Sequence, residues 1–217
     1  MEKNAIVHMY DTIMKQTKKV RVIGTANYGN IALLLKTFPD VKKNIEEIVV
    51  MGGAINFGNI TPAAEANIFH DPEAAHIVVT SGVKVVMIPL DVTHTIQSTP
   101  EVMKKISDMG TKFSRIVIGI LEFFKDAYKV QGFDSPPLHD PCTIAYCINP
   151  DIFEIKPTKV VIERFSIRSR GRTLCDVHGL EKGEKNVHLA YKGNAEKFWE
   201  LMIDALKSAN SQNRCEK

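Results

Sequence analysis

Ile48-Val49-Val50-Met51, followed at once by Gly52-Gly53, is the stretch that most restricts how this chain can fold. Four apolar residues in a row, two of them valines beside an isoleucine, read as a strand buried on both faces. A half-solvated strand would alternate instead. The two glycines stop the strand and let backbone approach something closely. A polar loop carrying Asn56, Asn59, Glu65 and Asn67 follows, and Asp71-Pro72-Glu73 then opens a helix with a capping carboxylate and an early proline. Buried strand, polar loop and helix, in that order, belong to an α/β protein, where ligands bind outside the carboxyl ends of the strands. Amide and carboxylate groups there suit a polyhydroxylated ligand, because each accepts from or donates to a hydroxyl.

The same alternation runs through the first 150 residues. Helical spacing covers 4–17, with Ile6, Met9, Tyr10 and Ile13 on one face, and a short strand follows at 20–23. A helix from Gly29 or Asn30 to Leu35, a short helical segment at 40–45, the strand 47–51, a helix at 71–81 and a strand at 83–88 come next. Further helices are predicted from Ser98 or Thr99, over 111–129 and over 140–148. This pattern predicts an α/β fold, a mostly parallel, Rossmann-like sheet with helices on both faces. Segments 158–163, 172–177 and 186–190 read as strands of a small antiparallel or edge element. A last helix is expected at 194–208, with a loose tail after Asn210. No stretch looks like a linker, so one domain over 1–217 is expected.

Composition removes several classes of function. A formal net charge of +3 on 217 residues, without an Arg/Lys stripe interleaved with aromatics, argues against nucleic acid. No apolar run approaches the roughly 20 residues that a membrane span needs. Cys142, Cys147, Cys175 and Cys215 form no C-x-x-C pair, and the chain opens on no signal peptide. They read as reduced thiols of a cytoplasmic protein.

Three places carry groups suited to chemistry: Thr25 with Asn27 and Asn30, the loop 52–67, and His139-Asp140. Asp140 is a hard oxygen ligand and His139 a proton donor beside it. Two plainer readings weigh equally or more. A lone histidine in a loop is more often a bystander, and Asp-Pro at Asp71-Pro72 and Asp140-Pro141 is ordinary helix-start chemistry. Glu65 and Asn67 share a face if the segment is extended, which favours joint hydrogen bonding to adjacent hydroxyls; merely fixing the loop fits the pattern as well. Asp91-Val92-Thr93-His94 fits best as a stretch that satisfies loop backbone. Tyr128 and Phe133 bracket the irregular loop before His139. They read first as core, with stacking on a flat ring as the rival.

Taken together, these segments resemble the inosine–uridine-preferring nucleoside hydrolases. Val49-Val50-Met51-Gly52-Gly53, Gly58-Asn59, Ala64-Glu65-Ala66-Asn67 and Asp71-Pro72-Glu73-Ala74-Ala75 carry the likeness. So do Leu90-Asp91-Val92-Thr93-His94, Leu138-His139-Asp140-Pro141-Cys142 and Phe198-Trp199. The resemblance implies hydrolysis of the N-glycosidic bond of ribonucleosides to ribose and free base, within purine and pyrimidine salvage. It implies a Ca²⁺ ion held by the Thr25 carbonyl and the Asp140 carboxylate. Asn59, Glu65 and Asn67 are expected at the ribose hydroxyls, Met51 beside the sugar, and His139 as the proton donor to the leaving base. Dimers or tetramers are implied as well.

The family pattern opens with an Asp-x-Asp-Pro-Gly-x-Asp-Asp string at its first strand, which supplies most of the metal's carboxylates and the base that activates water. That string is absent here. The chain is expected to lack the family's N-terminal strands, starting about a hundred residues into the pattern, with Ca²⁺ bound weakly or not at all. Loss of a positioned base alone typically costs on the order of 10²–10⁴ in rate. Two rivals to an active hydrolase are therefore a catalytically dead nucleoside-binding or interaction subunit, and a partial gene model.

Overall fold

The computed structural model describes residues 4–130 and 132–212. Gln131, Cys215 and the tail past residue 212 lie outside the described residues. Two compact units emerge, each built from separated segments: residues up to Val92 together with Glu154–Lys192, and Thr93–Phe153 together with the chain from Gly193 on.

The first unit holds the sheet. Its strands β1 (Val20–Gly24), β2 (Ile45–Met51), β3 (Val85–Ile88), β4 (Phe153–Thr158) and β7 (Val187–Gly193) lie in the order β1-β2-β3-β7-β4. β1 pairs with β2, β2 with β3 and β3 with β7, all parallel, with Val22 opposite Ile48 and Ile48 opposite Val85. Ile48, Val49 and Val50 are fully buried, as are Val85 to Ile88, which is what an uninterrupted apolar run on an interior strand requires. Helices α1 (Ala5–Met14), α2 (Gly29–Thr37) and α4 (Pro72–Val79) contribute Ile13, Ile31, Leu34, Leu35, Ala75 and Val78 to the same core. Asp71 caps α4 as expected, accepting from the Ala74 amide at 2.9 Å.

Three details differ from the sequence expectation. The segment 186–190 is no edge element: β7 lies inside the main sheet between β3 and β4, and only β5 (Val160–Ile162) and β6 (Thr173–Cys175) form the small antiparallel pair. β4 was hidden because Glu154, Lys156 and Pro157 dilute its apolar signal. Between β2 and α4 the chain is not wholly irregular, since α3 (Ala66–His70) makes five helical residues there.

The second unit is helical. It contains α6 (Pro100–Ser107), α7 (Lys112–Lys129), α8 (Pro141–Ile148) and α9 (Ala195–Gln212), which runs past the end expected at residue 208. The one-turn α5 (Leu90–Thr93) leads into this unit. Thr111 and Ser114 form a reciprocal capping box at the start of α7. The Trp199 indole donates to the Gln97 carbonyl at 2.8 Å and ties α9 to the turn after α5. No described helix is long and apolar enough to cross a membrane.

Candidate functional site

In the first unit the loop leaving β2 is held by a set of side chains that look polar and available in the sequence. Glu65 is 2% exposed. Its carboxylate accepts from the amides of Gly53 (2.9 Å), Asn67 (2.9 Å) and Ile68 (3.2 Å), so it caps α3 and ties it to the end of β2. Asn67 donates from Nδ2 to the Met51 carbonyl at 3.1 Å, and Asn59 accepts from the Ala66 amide through Oδ1 at 3.0 Å. The Met51 carbonyl takes a second donor, the buried Tyr28 hydroxyl, at 3.1 Å. Burial, and then the Glu65 charge, push the Tyr28 phenol well above its ordinary pKa and keep it a donor.

Glycine is required at the turn itself. Gly53 is left-handed at φ 74°, and a Cβ on Gly52 would stand 2.4 Å from the Tyr28 hydroxyl oxygen. Asp91 fixes the far side of the loop, accepting from the Ile55 amide (2.6 Å) and from the Asn56 side chain (2.6 Å). That is the backbone-satisfying role its sequence context suggests.

Met51, Asn59, Glu65 and Asn67 are thus brought together, and part of each is spent on the loop. Of these four side chains, two amide atoms make no hydrogen bond among the described residues, Oδ1 of Asn67 and Nδ2 of Asn59. These are one acceptor and one donor, as recognition of hydroxyls requires. Thr25 lies just beyond β1 and is exposed.

In the second unit, His139 is gripped at both ring nitrogens. Nδ1 lies 2.7 Å from the Thr93 hydroxyl and Nε2 lies 2.7 Å from the Tyr128 hydroxyl. His94 packs edge-on to the His139 ring at 5.5 Å between centroids, and Phe133 packs edge-on to His94 at 4.8 Å. Burial, and then the neighbouring His94, push the His139 pKa down to about 4, so the ring is neutral near pH 7. A neutral imidazole carries one N–H that donates and one bare nitrogen that can accept a proton, so it can hand a proton on only while taking one up.

Asp140 stands at the N-cap of α8 but makes no capping bond, unlike Asp71. Its carboxylate accepts no hydrogen bond among the described residues, and partial desolvation pushes its pKa up. The helix-start explanation for Asp140 therefore fails at the level of the side chain. His139, Asp140 and Tyr128 line one part of a cavity of about 400 Å³ whose remaining walls, Leu121, Phe124 and Leu138 among them, are apolar. Such a cavity suits a flat, largely apolar group with one polar edge.

Sequence reasoning passed over Tyr28, and it read Thr93 only within a stretch that satisfies loop backbone. Thr93 meets a side chain 46 positions away and Tyr28 a carbonyl 23 positions away. No local pattern encodes either contact.

A mostly parallel sheet with helices around it defines an α/β protein. The model of the inosine-uridine preferring nucleoside hydrolases matches residues 1–200, and the chain belongs to that family. It is 43% identical over 218 residues to a probable ribonucleoside hydrolase of Dictyostelium discoideum, covering 94% of this chain and 64% of that protein. It is 39% identical over 205 residues to the pyrimidine-specific ribonucleoside hydrolase RihA of Escherichia coli O8 (strain IAI1), covering 94% and 66%. The structure of a purine-preferring ribonucleoside hydrolase from Gardnerella vaginalis superimposes with a TM-score of 0.86 at 30% identity, covering 96% of this chain and 66% of that one. The chain thus spans just under two thirds of the length of these relatives.

Proposed function

We propose that this chain acts on the N-glycosidic bond of ribonucleosides, with inosine and uridine representing the substrate class. The observation that carries the reading is the second-unit cluster. A histidine fixed at both nitrogens stands beside an aspartate whose carboxylate is not spent on its helix, at the edge of an apolar cavity. In hydrolysis the C–N bond breaks, water supplies hydroxyl to the sugar carbon, and a proton passes to the departing base nitrogen. His139 passes that proton on: its N–H goes to the base nitrogen as its other nitrogen takes up a proton that traces back to the attacking water, so the ring returns to its starting charge. Met51 packs beside the sugar, and Asn59, Glu65 and Asn67 serve its hydroxyls, Asn59 and Asn67 through their unpartnered amide atoms. Negative charge near the anomeric carbon stabilises the oxocarbenium-like transition state. Residues 1–217 are read as one nucleoside hydrolase domain. Action on free nucleosides in the cytoplasm, as a homo-oligomer serving salvage, completes the reading.

Ca²⁺ is the ion that the family likeness suggests, with Thr25 and Asp140 as oxygen donors. Calcium takes about six to eight oxygens, several of them carboxylate. No group of three or more His, Cys, Asp or Glu side chains placed to hold a metal occurs among the described residues. One carbonyl and one carboxylate do not make that site, and no step is assigned to the ion.

That shortfall favours a second reading, in which nucleoside is bound and turned over slowly or not at all. Release of reducing sugar from inosine and uridine, with and without Ca²⁺, tests the first reading. Sugar release that falls by roughly 10² or more in His139→Ala supports it. Nucleoside binding by calorimetry without sugar release, indifferent to chelation and to Asp140→Ala, supports the second reading. Neither release nor binding overturns both.

A further inference from the structure

We propose that Thr93 is a positioning residue for His139, fixing the ring so that its other nitrogen is presented toward Tyr128 and the cavity. The assignment deepens the hydrolase reading above and rests on it for the chemistry, though not for the geometry. Thr93 is fully buried, 46 residues from His139, and its hydroxyl lies 2.7 Å from Nδ1. Its backbone is held on both sides, by the Val92 amide on the Pro89 carbonyl (3.0 Å) and by the Ile96 amide on its own carbonyl (3.0 Å).

The other hydroxyl at the ring differs in kind. Tyr128 is only partly buried, sits in the last turn of α7 and lines the cavity. One partner is therefore anchored and the other faces the space where a ligand fits. A threonine hydroxyl can donate or accept, so it serves whichever neutral tautomer is present; valine has the same shape and does neither. Without a fixed partner at Nδ1, the ring can flip about its χ2 axis, whose energy wells are broad and roughly two-fold. The nitrogen offered to the cavity would then no longer be constant. His94 packing edge-on restricts the tilt of the ring, but a T-shaped contact does not choose between flipped states.

The test compares Thr93→Val and Thr93→Ser with the unaltered chain, each first shown to be folded by its melting transition. Long-range ¹H–¹⁵N spectra of the histidine rings, with His139 assigned by its loss in His139→Gln, should show one fixed pair of nitrogen shifts in the unaltered chain and in T93S. Averaged or doubled shifts are expected in T93V. In nucleoside hydrolysis T93V should lose about tenfold or more in kcat while KM stays within about threefold, and T93S should restore kcat. If T93V does not fold, T93A takes its place. Unchanged His139 shifts in a folded T93V overturn the proposal, as does a T93S chain that behaves like T93V. Absence of hydrolysis in every form, the unaltered chain included, counts against the hydrolase reading alone, and the spectra still decide the role of Thr93.

Discussion

Replacing Glu65 with alanine should destabilise the first unit far more than removal of an exposed carboxylate would. The Glu65 side chain is almost wholly buried, and it accepts from three backbone amides, those of Gly53, Asn67 and Ile68. Two of these are the first donors of α3, so their loss costs about as much as loss of an N-cap, roughly 1 kcal/mol. The third, the buried Gly53 amide, is left without an acceptor at a cost of about 1–3 kcal/mol. The sum is about 2–4 kcal/mol. For a chain of this length each kcal/mol moves Tm by about 2–4 °C, so E65A should melt about 4–16 °C below the unaltered chain. Glu65→Gln keeps one acceptor oxygen in the same place and should fall between the two. Thermal unfolding followed by circular dichroism gives the shift, and hydrogen exchange at Gly53, Asn67 and Ile68 shows whether the loss is local. A folded E65A that melts within about 1 °C of the unaltered chain, with those amides equally protected, would refute the reasoning.

The two Asp-Pro helix starts should part company on mutation. Asp71→Ala removes a capping bond and should cost about 1 kcal/mol in urea unfolding, whereas Asp140→Ala removes no cap and should change stability by about 0.5 kcal/mol or less. The Cys142 and Cys175 thiols, both pushed up to about 12 by burial, should resist iodoacetamide at pH 8 in the native state and react once the chain is denatured, as read by mass spectrometry. His139, with its pKa lowered by burial to about 4, contributes stability that is fully present above its ordinary pKa near 6.5. That contribution should fade as pH drops from about 6.5 to about 4, and His139→Gln should flatten the slope in unfolding titrations over that window.

What could be read from the sequence was whatever neighbours in the chain decide among themselves. The apolar run before Gly52-Gly53 announced an interior strand, because it is short, rich in β-branched residues and stopped by two glycines. Asp71-Pro72 announced α4, because a cap is a contact over three residues. Glu65 was harder: glutamate is not a favoured N-cap, and the five residues of α3 are too few to show a period. β7 was misread because Val187-His188-Leu189-Ala190-Tyr191 mixes polar with apolar residues, as an edge strand does. Its partner β3 is a hundred residues away, and no local pattern carries such a pairing. The same holds for the two hydroxyls on His139. Histidine and aspartate side by side can be noticed in a sequence, whereas the threonine that anchors the ring is visible only once the chain has folded.

The late arrival of β7 has a consequence for how the molecule is made. Val187 and Leu189 belong to the same core as Val85 and Met87, yet the ribosome must add about a hundred more residues after β3 before supplying them. Until then β3 is a naked rim of unpaired amides and carbonyls, the kind of surface that recruits stray strands. A nascent chain stalled before Val187 should therefore need chaperone cover, and the emergence of Val187–Gly193 should act as the latch that ends that dependence.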